Sequence, residues 1–132
     1  MRIANLDDVD KVWRVFNELN VGEINVFNRS VTLSLIRSMR VLVVEKWGVI
    51  AGAMALKLRD PLEVFAIAVH PDFKKQGIGS QLLKEADKEA QRFGATSIFA
   101  ESYAIYGVRG FYEKNGYNTT VLGNGYNFRK EV

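Results

Sequence analysis

Apolar residues at Val9, Val12, Trp13, Phe16 and Leu19 recur at helical spacing behind Asp7, which stands where an N-cap belongs. A short strand, Met1 to Ala4, precedes them. A second helix is expected to begin near Ser30, with Val31, Leu35, Ile36 and Met39 on one face. Between the two, Asn20 to Arg29 has no period and reads as an irregular loop, the kind of segment that often carries specificity.

From Val41 the period becomes that of strands. Val41–Glu45 and Val49–Leu58 meet across a tight Lys46-Trp47-Gly48 turn, and Asp60-Pro61 interrupts the pattern. Val64 to Val69 is then an unbroken apolar run, expected of a strand covered on both faces, and His70-Pro71 ends it. Ile78, Leu82, Leu83, Ala86, Ala90 and Phe93 mark an amphipathic helix over Gly77–Phe93 with Gly94 as its C-cap. Ala95–Glu101 is a further buried strand, and Val108–Lys114 a shorter helix ending at Asn115-Gly116. Tyr117–Leu122 and Tyr126–Lys130 form a hairpin across Gly123-Asn124-Gly125.

The resulting order, βααβββαβαββ, is that of an α+β chain (α/β by some schemes). The strand–helix–strand unit from Val64 to Glu101 is a crossover, so two strands run parallel in a mostly antiparallel sheet. No repeat or linker divides the sequence, and residues 1–132 read as one domain.

Composition then removes several chemistries. The chain has no cysteine, which excludes disulfides, thiolate nucleophiles and cysteine-held metals. Its one histidine, His70, rules out a histidine-rich zinc site, so no metal is expected. Acidic residues enter too early in MRIANLDDVD for a secretory signal. No apolar run approaches the roughly 18–20 residues that span a bilayer, so no membrane partner and a cytoplasmic location are expected. The formal charge of +3 suits an anionic ligand but is too small to argue for nucleic acid, and the aromatic pattern of an RNA-binding sheet is missing.

Lys74-Lys75-Gln76-Gly77-Ile78-Gly79 lies between a buried strand and the longest helix. The first backbone N–H groups of a helix have no intrahelical partner, the macrodipole makes that end positive, and glycine lets backbone approach a ligand closely. The arrangement suits a phosphate or diphosphate, with two lysines adding charge. It equally suits a plain tight turn into a helix, since a G-x-G arises by chance about 0.6 times in a chain this long. Leu82 occupies the third small position of a dinucleotide fingerprint, and no Walker motif is present.

The run V-H-P-D-F-K-K-Q-G-I-G-S-Q-L-L resembles the acetyl-coenzyme A signature of the GNAT (GCN5-related) N-acetyltransferase superfamily, [QR]-x-x-G-x-[GA] after a strand and before a helix. Lys74 stands where the family usually has arginine or glutamine, and meets phosphate as a point charge without the bidentate fork. The resemblance extends to the element order and to Gly110-Phe111-Tyr112-Glu113-Lys114-Asn115-Gly116-Tyr117, which is similar to the family's G-F-Y-E-K-x-G-[FY]. It implies that the two parallel strands splay and that Ile67, Ala68 and Val69 offer backbone to the cofactor's pantetheine arm. It implies diphosphate binding by Lys74, Lys75, Gln76, Gly77, Ile78, Gly79 and Ser80. The asparagine that the family often carries seven residues before the tyrosine is Ile105 here, so that contact is either missing or moved to Ser102.

By the same resemblance Tyr112 protonates the departing thiolate, a role open to a phenol because its ordinary pKa is about 10. Without the family, Tyr112 reads as a core aromatic. The amine must be neutral to attack, and a lysine-like amine near pKa ~10.4 needs a base more than an α-amine near ~7.7–8.0. Glu63, at the entrance of its strand, is the first candidate base, and Glu101, at the end of the other parallel strand, the second; both read otherwise as solvated carboxylates. His70, in a His-Pro turn, is given a structural role.

The expected activity is transfer of an acetyl group from acetyl-coenzyme A to a primary amine, small-molecule or protein, by direct attack in a ternary complex. A module of the same fold that senses acyl-coenzyme A without catalysis is the alternative. The C-terminal hairpin offers an edge for a homodimer.

Overall fold

Along residues 40–46 the side chains alternate, so that Val41 and Val43 enter one core cluster while Leu42 and Val44 enter another. In the computed structural model, which describes residues 1–132, this strand lies in a sheet with helices on both faces. The elements are β1 (Arg2–Ile3), α1 (Val9–Phe16), α2 (Arg29–Ser38), β2 (Arg40–Lys46), β3 (Val49–Lys57), β4 (Leu62–Val69), α3 (Ile78–Phe93), β5 (Ser97–Tyr103), α4 (Arg109–Lys114), β6 (Asn118–Leu122) and β7 (Gly125–Glu131). The expected order βααβββαβαββ is the observed one.

The seven strands lie in the order β1-β2-β3-β4-β5-β7-β6, and only β4 and β5 run parallel. One cluster, with Met54, Leu56, Leu82, Leu83, Ile98 and Phe128, fills the space under α3. The other, with Val12, Val15, Phe16, Leu35, Ala53 and Ala55, lies under α1 and α2. Burial of such side chains is worth about 1.5–3 kcal/mol each and holds the sheet between its helices.

The N-cap differs from expectation. Asn5, not Asp7, opens a 3-10 turn over Leu6–Asp8 that runs into α1: its side chain accepts the Asp7 N–H at 2.9 Å, and the Asp8 carboxylate accepts the Asn5 N–H at 2.8 Å. Arg2 holds the Asp8 carboxylate at 2.7 Å, pinning β1 to this turn and keeping the Asp8 carboxyl below its ordinary range. The start of α2 is capped by the Asn28 side chain, which accepts from the Val31 N–H at 2.8 Å.

Candidate active site

β4 was expected to be covered evenly on both faces, but it changes face midway. The β3–β4 register steps from Ala55↔Ala66 to Leu56↔Val64, which makes Phe65 a bulge residue. Leu62 and Val64 therefore face α3, whereas Ala66 and Ala68 face α1 and α2, and Phe65 is left 40% exposed.

The same point ends the parallel pairing. β4 and β5 pair only from Leu62↔Ile98 to Val64↔Ala100, so the strands part beyond the bulge. A cleft of about 810 Å³ opens between them. Its wall brings together Glu63, Ile67, Ala68, Val69, Lys74, Glu101, Ser102 and Tyr112.

Main-chain direction separates the three residues assigned to the pantetheine arm. The His70 N–H donates to the Ala51 carbonyl at 2.8 Å, which is the antiparallel ladder with β3. Alternation sends the main chain of Ala68 toward β3 as well, and that of Ile67 and Val69 toward the cleft. Ala68 thus contributes side-chain packing, and the open main-chain groups belong to its two neighbours.

At Lys74 the cleft meets the turn into α3, and Lys75 to Ser80 follow outside its wall. Lys75 and Gly77 both adopt left-handed backbone, φ +62° and +78°, so the chain reverses sharply before the helix. Gly77 is the N-cap and offers no capping side chain. The N–H groups of Ile78, Gly79 and Ser80 precede the first intrahelical bond, donated by Gln81 to the Gly77 carbonyl at 2.9 Å. An anion at this end would meet these amides and the positive end of the helix dipole.

The two glycines serve different ends. Gly77 is needed for its backbone angle, whereas a Cβ on Gly79 would lie 2.9 Å from the ring of Phe111. Gly79 therefore lets α4 pack on the first turn of α3. The Asn115 amide strengthens that contact by donating to the Ser80 hydroxyl at 3.2 Å. Ile78 is 2% exposed and belongs to the core, so its backbone alone is open to a ligand.

Tyr112 is 3% exposed, stacked on Phe128 at 4.3 Å and edge-on to Phe111 and Tyr117. Its ring belongs to the core, yet it reaches the cleft, and its hydroxyl has no protein partner. Burial alone pushes this phenol well above its ordinary range, so it stays protonated at every physiological pH.

The two candidate bases differ in their surroundings. The Glu63 carboxylate, with a side chain 14% exposed, is engaged by the Arg59 guanidinium. Glu101 is exposed, and no cation of the protein pairs with it. Strand alternation puts both on the face opposite α3. Ser102 lies on the α3 side, with its hydroxyl donated to the Tyr103 carbonyl at 3.2 Å. His70 accepts the Asp72 N–H on Nδ1 at 3.1 Å and caps the Pro71–Phe73 turn, a structural part.

Sequence reasoning missed a long-range tie beside the cleft. The Tyr106 hydroxyl, at the end of the turn after β5, donates to the Leu19 carbonyl at 2.6 Å. Beside it, Ile105 packs against Gly22. This strap ties the turn after β5 to the segment after α1, and Glu18, Glu23, Ile24 and Phe27 stand in the cleft wall. No local pattern marks a contact between residues 87 positions apart.

No curated protein matches the chain in sequence. Among solved structures, the fold is similar to that of PaiA N-acetyltransferase from Thermoplasma acidophilum in complex with coenzyme A, at 19% identity, TM-score 0.82 and 100% of both chains. It is also similar to ribosomal-protein-alanine N-acetyltransferase from Brucella melitensis, at 17% identity and TM-score 0.81 over 99% of this chain and 98% of that one. YncA from Salmonella typhimurium, solved with its cofactor acetyl-CoA, is 18% identical with TM-score 0.78 over 97% of this chain and 90% of that one. At these identities the likeness establishes the fold. A family model described as an acetyltransferase (GNAT) domain matches residues 37–119, more than half of the sequence and the stretch that holds the bulge, the cleft strands, the glycine turn and Tyr112; the chain belongs to the GNAT acetyltransferase family.

Proposed function

We propose that this protein transfers an acetyl group from acetyl-coenzyme A to a primary amine by direct attack in a ternary complex. What carries the reading is the continuity of the cleft. Open backbone at Ile67 and Val69 leads at one end to the uncapped start of α3, and Tyr112 stands in the same wall. Two of the similar structures hold coenzyme A or acetyl-CoA, which supports the same ligand here.

In this reading the amides of Ile78, Gly79 and Ser80 hold the diphosphate, aided by the charge of Lys74 and Lys75. Main-chain groups of Ile67 and Val69 align the pantetheine arm, and an amide there polarises the carbonyl. The donor supplies a thioester: a C–N bond forms as its C–S bond breaks. The attacking nitrogen gives up a proton, and the sulfur receives one from Tyr112, which is restored from solvent. Glu101, with Glu63 beside the splay, takes the proton that keeps the amine neutral. Holding amine and thioester in attack geometry supplies much of the remaining acceleration.

The test is a thiol-release assay across an amine panel, with calorimetry of desulfo-coenzyme A binding alongside. Coenzyme binding together with amine-dependent thiol release is the expected result. Coenzyme binding without release to any amine would leave a sensor, and no binding would remove the reading.

A further inference from the structure

Beyond Val64↔Ala100 no ladder joins β4 to β5, so the cleft divides the sheet into two halves. One holds β1 to β4, and the other β5, β7 and β6. The closed end of this division is well tied. The parallel pairs hold it, and Asp60, just before β4, accepts the N–H of Thr96, just before β5, at 3.0 Å. On one face α3 packs across both strands, whereas on the other α1 lies against β3 and β4.

Past the parallel pairs one side-chain hydrogen bond joins the two halves. Leu19 ends a 3-10 turn, Asn17–Leu19, that packs on β4, and Tyr106 ends another, Ala104–Tyr106, that continues β5. The Tyr106 hydroxyl donates to the Leu19 carbonyl at 2.6 Å, and both residues stand in the cleft wall. Each anchor is braced. The Asn20 amide donates to the Phe27 carbonyl at 2.7 Å and accepts the Phe27 N–H at 3.0 Å, closing the loop behind Leu19. The Ala104 N–H donates to the Asn124 carbonyl at 2.9 Å, which fixes the other turn to the β6–β7 hairpin. Ile105 adds an apolar contact across the same gap, since a Cβ on Gly22 would lie 3.0 Å from its Cδ1. Burial pushes the Tyr106 phenol up, so it remains a donor at neutral pH.

Resting on the coenzyme reading above, we infer that Tyr106 is a positioning residue. Its tie to Leu19 sets how far β4 and β5 part, and so the width of the slot where Ile67 and Val69 meet the pantetheine arm. The diphosphate lies outside this slot, at the head of α3, so the tie bears on one half of the coenzyme. Without it, wider slots join the free protein, and binding the arm must first narrow them. A single neutral hydrogen bond limits the effect to about three- to tenfold.

NMR titrations with two probes test this: desulfo-coenzyme A, and 3′-phospho-ADP, the nucleotide half without the arm. Tyr106→Phe keeps the ring and removes the hydroxyl. It should weaken desulfo-coenzyme A about three- to tenfold and leave 3′-phospho-ADP within about twofold. Ile105→Ala, at a side chain 61% exposed, should shift the two probes apart in the same direction. Equal losses for both probes would show a general loosening, and an unchanged affinity for desulfo-coenzyme A would show an idle tie. Either result overturns the positioning role and leaves the coenzyme reading standing. Failure of either probe to bind the unaltered protein overturns the coenzyme placement itself, and the positioning role with it.

Discussion

The ammonium of Lys74 lies 3.2 Å from the carboxylate of Glu18, joining the turn that leads into α3 to the chain just beyond α1. In the proposed reading Lys74 also meets the diphosphate, so a bound phosphate and Glu18 would compete for one cation. Lys74 is exposed and Glu18 half-buried, so the pair is screened by solvent and correspondingly weak. Glu18→Gln should tighten coenzyme A binding about two- to threefold at low salt, while Lys74→Met weakens it about three- to tenfold. Both effects should shrink as salt rises. Calorimetry of the two variants and their double mutant checks this, and shifts of the same sign would refute the competition.

Gly77 and Gly79 should fail differently. Gly77→Ala forces a side chain onto a left-handed φ of +78° and should cost about 1–2 kcal/mol of stability. Gly79→Ala instead drives a methyl group against the Phe111 ring. Phe111→Leu should recover part of the stability lost in Gly79→Ala and none of that lost in Gly77→Ala. Thermal melts of the four variants read this directly.

Tyr112→Phe should lower kcat by at least about tenfold, the lower range for a positioned acid being ~10²-fold with water as a partial substitute. Desulfo-coenzyme A affinity should stay within about twofold, because a hydroxyl near the sulfur contributes little to the remote phosphate contacts. Unchanged turnover would remove the acid role. Since burial keeps this phenol protonated, the alkaline limb of the pH–rate profile should be the same in both proteins.

Tyr117 has its hydroxyl sealed without a protein partner, and Asp87 Oδ1 is sealed likewise. Burial first, and the Asp87 charge second, push the Tyr117 phenol up, as burial does for Tyr112. The folded state holds these protons more tightly than the unfolded chain. Their contribution to stability is therefore full below about pH 10 and is lost as pH climbs above it. Tyr117→Phe should be neutral or stabilising at pH ~7 and should flatten the alkaline loss; urea melts at neutral and alkaline pH measure both.

The sequence made the element order and the glycine turn legible because both rest on local chemistry: apolar period, a left-handed glycine, a helix without a capping side chain. The bulge at Phe65 was not legible. Leu62 to Val69 contains no glycine or proline to announce it, and from Val64 onward side chains of both parities are apolar. Its main-chain consequence, with Ala68 turned to β3 and its neighbours to the cleft, depends on register with β3. Nor was the cleft wall legible, since the segment after α1 and the strands β4 and β5 come together there only through the Tyr106–Leu19 strap and the splay of the two strands. Asn5 displaced Asp7 as the cap because Asp8, three residues on, could answer it.

Amide-resolved NMR during an acetyl-coenzyme A titration follows the backbone itself. The N–H signals of Ile78, Gly79 and Ser80 should move downfield together with those of Ile67 and Val69, while Ala68, bonded to β3, moves less. Saturable binding that leaves the signals of residues 78–80 in place would mean that the head of α3 does not hold the diphosphate.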